Sequence, residues 1–72
     1  MKAVGRFALV RIDEIVTSHG IKVKHDGRGF CISCPEMPEL EGLTVIYDTG
    51  QTYEEYENHL IMDNKFILAV IE

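Results

Sequence analysis

The chain has 72 residues, a formal charge of -5 and 46% apolar residues. That length holds one small globular domain, 1–72, and not two. The acidic balance argues against generic nucleic-acid binding, which draws on basic surface, and no apolar run nears the roughly 18 residues of a membrane helix. The first residues lack the apolar centre of a signal peptide, so a cytoplasmic location is expected. Two cysteines, Cys31 and Cys34, suit that compartment, since a secreted domain this small usually carries more.

Charge is unevenly spread. Seven acids and no Lys or Arg lie between Glu36 and Glu57, whereas 17–30 holds three bases against one acid. Two differently solvated faces account for this most simply.

Residues 7–12, β-branched and apolar, read as a strand that Asp13 and Glu14 end or bend. A turn follows at 17–20, with Gly20 open to unusual backbone angles. Residues 21–24 alternate apolar and charged, which suits a short strand with one apolar face. With Gly20 before it and Gly27 and Gly29 after it, this stretch reads as a flexible segment able to become a strand on a partner. A third strand is expected over 30–34, stopped by Pro35. Residues 36–42 read as a loop, and 43–47 as a fourth strand. A turn signal stands at 48–50. Residues 51–57 are ambiguous, because Thr52, Tyr53 and Tyr56 favour strand whereas Glu54 and Glu55 tolerate helix. A short strand at 60–62, a turn at 63–65 and a last strand at 66–71 complete the chain. Short, closely spaced strands with turn chemistry between them predict an all-β fold, a small barrel.

The last strand carries six apolar residues without a polar break. A strand apolar on both faces belongs in a core or between subunits, and so short a chain has little interior to offer. Residues 7–12 are the other strongly apolar strand. Unpaired edges of this kind aggregate unless covered, and a head-to-tail interface closes them into a ring. Pairing of the two strands inside one barrel remains the alternative.

Leu60-Ile61-Met62, four residues, then Ile67-Leu68-Ala69-Val70-Ile71 resembles the closing hairpin of the GroES-type co-chaperonins. Lys2-Ala3-Val4 followed by Ala8-Leu9-Val10-Arg11 resembles that family's opening segment and first strand. Gly20-Ile21-Lys22-Val23 resembles the core of its mobile loop, and Gly42 leading into Val45-Ile46-Tyr47 resembles a later strand. The order holds over nearly the whole chain. Departures include Ala3 for the family's early Pro and Phe66 for the Asp that opens its last strand. Residues 35–41 stand where many members carry a longer roof hairpin, so the chain looks like the short, phage-encoded members.

The resemblance implies a GroES-like β-barrel with a flexible loop at about 16–29. It also implies a ring, a heptamer in this family, that caps a GroEL-type chaperonin and encloses unfolded substrate protein for folding. Nucleotide is bound by the chaperonin, so neither enzyme activity nor a cofactor is expected of this chain. Gly20, Ile21, Lys22 and Val23 would bind the chaperonin. In an extended loop Ile21 and Val23 project to one side. Phe7, Leu9, Val10, Ile67, Leu68, Val70 and Ile71 would form the subunit interface. An adaptor or structural protein that keeps the fold without chaperonin binding is the alternative function.

Cys31 and Cys34 with His19 and His25 form a competing constellation. They make one Cys-x-x-Cys and a loose His pair, short of the two paired-ligand knuckles of a strong zinc signal. On a strand the two cysteines point to opposite faces, and buried Cys behaves as a small hydrophobe. No nucleophile elbow or phosphate loop appears. Tyr47, Tyr53 and Tyr56 read as core and rim, because the acids around them oppose a nucleic-acid stacking face.

Overall fold

In the computed structural model, described for residues 1–12, 27–71 and the backbone of 15–16 and 22–23, alternation along the chain resolves into eight strands. They are β1 (Phe7–Arg11), β2 (Ile15–Val16), β3 (Lys22–Val23), β4 (Arg28–Ser33), β5 (Thr44–Tyr47), β6 (Glu54–Tyr56), β7 (His59–Asp63) and β8 (Ile67–Ile71). Six of them form one antiparallel sheet in the order β6-β7-β1-β4-β5-β8, and β2 pairs with β3 separately. The all-β expectation holds, and among the described residues the helical elements are short 3-10 turns at Pro38–Leu40 and Asn64–Phe66. The sheet is open: β6 and β8 are its two ends, and no ladder joins them.

Register decides which residues enter the core. Val10 lies opposite Cys31 on one side and Leu60 on the other, and Ala8 lies opposite Met62. With Ile12, Val45 and Tyr47 these are buried and pack as one cluster. The larger of these side chains, such as Leu60, Met62, Ile12 and the valines, each contribute about 1.5–3 kcal/mol by leaving water. Tyr53 and Phe66 close the cluster edge-on, with Tyr53 centroids 5.9 Å from Tyr47 and 5.7 Å from Phe66.

The connections follow backbone chemistry. The ambiguous 51–57 stretch contains β6, which joins β7 through a two-residue turn. Glu57 and Asn58 there take φ of 49° and 63°, and two successive positive φ values match the right-handed twist of a hairpin. The 35–42 connection is compact. The Glu41 carboxylate accepts the Cys34 N–H at 2.8 Å, and the Gly42 N–H donates to the Cys31 carbonyl at 2.9 Å. Gly42 has φ +87, a conformation glycine adopts without steric cost.

The expected last strand at 66–71 begins one residue later, because Phe66 belongs to the 3-10 turn. β8 is an edge strand and not an interior one. Ile67 and Val70 pack against the core, whereas Leu68 is 65% exposed and Ile71 42% exposed.

Candidate functional site

The stretch that carries Gly20, Ile21, Lys22 and Val23 connects two neighbouring antiparallel strands. β1 ends at Arg11, β4 begins at Arg28, and Arg11 lies directly opposite Phe30. The chain therefore leaves and re-enters the sheet at the same end. Lys22 and Val23 form β3, which pairs with β2 in the register Ile15 to Val23 and Val16 to Lys22. Gly20 and Ile21 lie outside the described residues, as do His19 and His25. The strand reading of 21–24 is met at Lys22 and Val23, whereas β2 was not legible, since Asp13 and Glu14 suggest a break before it.

The sheet end beneath this connection is also ordered by register. Tyr56, His59 and Arg11 stand in one line at this end of β6, β7 and β1, and the row runs on through Phe30 to Thr44 and Ile71, which lie at the far ends of β5 and β8 because the sheet is staggered. None belongs to the core cluster. Arg11 and Tyr56 are exposed, while His59 and Phe30 are half-buried. The Arg11 guanidinium lies 5.1 Å from the Phe30 ring centroid, within cation–π range. The Ile12 N–H donates to the Asn58 carbonyl at 2.8 Å, which ties the β6–β7 turn to the start of the connection.

The seven residues expected at a subunit interface separate into two groups. Leu9 and Val10 are buried, and β1 is paired on both sides, with β4 and with β7. Its backbone has no free edge to offer a neighbour. β8 pairs only with β5, which leaves its outer edge unpaired in the single chain. Phe7, Leu68 and Ile71 are exposed, and Ile67 and Val70 are partly covered by the core. β1 and β8 do not pair with each other. Residues 1–4 lie outside every ladder, with Val4 73% exposed and the Ala3 N–H donating to Ser33 Oγ at 3.2 Å.

Cys31 and Cys34 are both buried free thiols. Burial first, then the neighbouring Cys34 and Glu41, pushes the Cys31 thiol from 9.0 up to about 11. Burial likewise raises Cys34. Among the described residues no three His, Cys, Asp or Glu side chains converge as a metal-binding group. Thiolate is the reactive form, so thiol reagents at pH 7.5 are expected to modify the native protein far more slowly than the unfolded chain. The raised native pKa also sets a sign. The folded state holds its thiol proton where the unfolded state has lost it, so stability should fall as pH rises from about 9 to about 11. Denaturant melts across that range would check this.

A solvent-open cleft of about 270 Å³ lies between Tyr47, Thr49, Gln51, Thr52 and Tyr53. Its lining offers hydroxyl and amide groups and no charged side chain. Tyr47 is buried, Tyr53 half-buried and Tyr56 exposed, which distributes the tyrosines between core and rim.

No protein-family model matches the chain, and neither does any curated protein or solved structure. The transverse row at the sheet end is the feature that motif reading missed. Its members are far apart in sequence, and only strand order and register bring them into line.

Proposed function

We propose that this chain is a co-chaperonin-like lid subunit. It assembles into a ring, docks on a GroEL-type chaperonin through the 13–26 connection, and closes substrate protein inside for folding. One observation carries the reading: the segment resembling the family's mobile loop springs from and returns to a single end of the sheet, between the paired strands β1 and β4. That topology lets the segment engage a partner without breaking the ladders of the six-stranded sheet. A loop of this kind binds weakly alone, because ordering it offsets part of the contact energy. Several loops on one ring bind tightly through effective concentration.

The ring contact follows from the free edges. β8 offers an apolar outer edge, β1 offers none, and residues 1–4 lie outside every ladder in the single chain. In this proposal residues 1–4 of one copy run along β8 of the next, with Leu68 and Ile71 covered in the joint. The sheet would gain its missing neighbour between copies and not within one. Subunit number and barrel closure follow the family in this reading.

Native mass spectrometry of the protein mixed with a bacterial-type chaperonin, with and without ATP, tests the function. A ring that joins the chaperonin only with nucleotide supports it. A species that ignores the chaperonin in every nucleotide state overturns it and leaves the adaptor reading. The joint has its own test. Leu68→Lys with Ile71→Lys should reduce the ring to monomer at micromolar concentration and leave the far-ultraviolet circular dichroism unchanged, because both side chains are exposed in the single chain.

A further inference from the structure

We propose that the sheet end carries a second chaperonin contact, in which Arg11, with Tyr56 and His59 beside it, receives a carboxylate on the partner's surface. This rests on the lid reading above and adds a site to it. Reach is the first ground. Ile15 stands three residues beyond Ile12, about 10 Å at full extension. Val23 lies beside Ile15, one ladder spacing of about 5 Å away. A groove that takes Val23 therefore stands within roughly 15 Å of the sheet end. A standard interface covers about 800 Å² on each partner, so it is nearly 30 Å across. A partner surface seated on Val23 consequently extends over the residues at the base of the connection.

The chemistry of those residues is the second ground. Tyr56 is 57% exposed, and Arg11 is exposed and stacked on Phe30. Tyr and Arg are the side chains most often found carrying interface energy. Stacking holds the guanidinium plane and leaves its N–H edge free for a bidentate carboxylate. Arg6 pairs with Asp63 at the opposite end of β1, and among the described residues no carboxylate is found paired with Arg11. His59 lies directly across from Arg11, with its Nδ1 2.8 Å from the Glu57 carbonyl oxygen, and its imidazole fills the row between Arg11 and Tyr56. A carboxylate on the partner answers the Arg11 guanidinium, and Glu54, Glu55 and Glu57 on the neighbouring β6 and its turn set the surrounding charge.

The experiment compares wild type, Arg11→Glu, Arg11→Lys and the loop variant Ile21→Asp with Val23→Asp. Each is assayed for ring mass alone and for capture by the chaperonin at two salt concentrations with ATP. Arg11→Glu is expected to keep the ring and weaken capture about 10-fold or more. It should also reverse the salt dependence at this contact, because the attraction becomes a like-charge repulsion that salt screens. Arg11→Lys should recover part of the loss. If wild type and the loop variant both fail to bind, the lid reading fails, and this inference with it. If wild type binds, the loop variant does not, and Arg11→Glu binds like wild type with the same salt slope, this inference alone is overturned.

Discussion

Ile21→Asp with Val23→Asp should abolish capture by the chaperonin while the ring keeps its native mass. Burial of two such side chains in a groove is worth about 3–6 kcal/mol per loop, at 1.5–3 kcal/mol each. Removing it lowers the single-loop equilibrium roughly 10²- to 10⁴-fold. Two carboxylates in the same groove add a desolvation cost. Multivalency then magnifies the loss, because every loop on the ring is weakened at once. The sheet should not notice. β2 pairs with β3 in a ladder separate from the six-stranded sheet. Native mass with and without chaperonin separates the outcomes. A double variant that still caps the chaperonin with ATP would place the contact elsewhere on the chain.

Gly29→Ala should destabilise the fold more than any surface change. A Cβ on Gly29 would overlap Val10 Cγ1 and lie 2.9 Å from the Arg11 carbonyl oxygen. The methyl of Val10 can rotate away, but Arg11 is backbone in the middle strand pair and cannot yield without shifting β1 against β4. Overpacking of this kind costs about 1–3 kcal/mol. A domain this small draws only about 3–5 kcal/mol from its core, so the loss is a large fraction of the whole. Thermal melting followed by circular dichroism should show a midpoint lower by roughly 5–20 °C. Adding Val10→Ala should relieve the side-chain part of the overlap and leave the backbone part. A single variant that melts like wild type would contradict the close approach of these strands.

The two predictions draw on different kinds of information. Ile21 and Val23 stand out in the sequence because a short apolar–charged alternation with Gly20 before it and Gly27 and Gly29 after it suits a segment that folds on a partner. Gly29 does not stand out. It reads as the end of a loop, and only the pairing of β4 with β1 puts it against Val10 and Arg11. Arg11 is similar. In sequence it is the charged end of an apolar strand, and in the sheet it lies between Phe30 and His59.

Strand content was legible from the sequence because alternation and turn chemistry are local. The strands beginning near Phe7, Phe30, Leu43 and Leu60 appear within a residue or two of their expected bounds. The glycine and proline signals mark where they end, since those residues act on their own backbone. Local chemistry also drew attention to the apolar run at 66–71. It could not say which strand would be interior and which would be edge. Both 7–12 and 66–71 read as apolar strands, yet β1 is paired on both sides and β8 on one. Strand order is set by which non-local pairings bury the most apolar surface together, and that depends on all six strands at once. The sequence by itself determined an acidic, all-β chain with a glycine-flanked apolar segment and a C-terminal apolar run. The tertiary structure alone decided that β8 is an edge strand while β1 is interior, that the sheet stays open, and that Arg11 stands at the base of the connection. Register and edges are properties of pairs of strands, and no single stretch of sequence contains them.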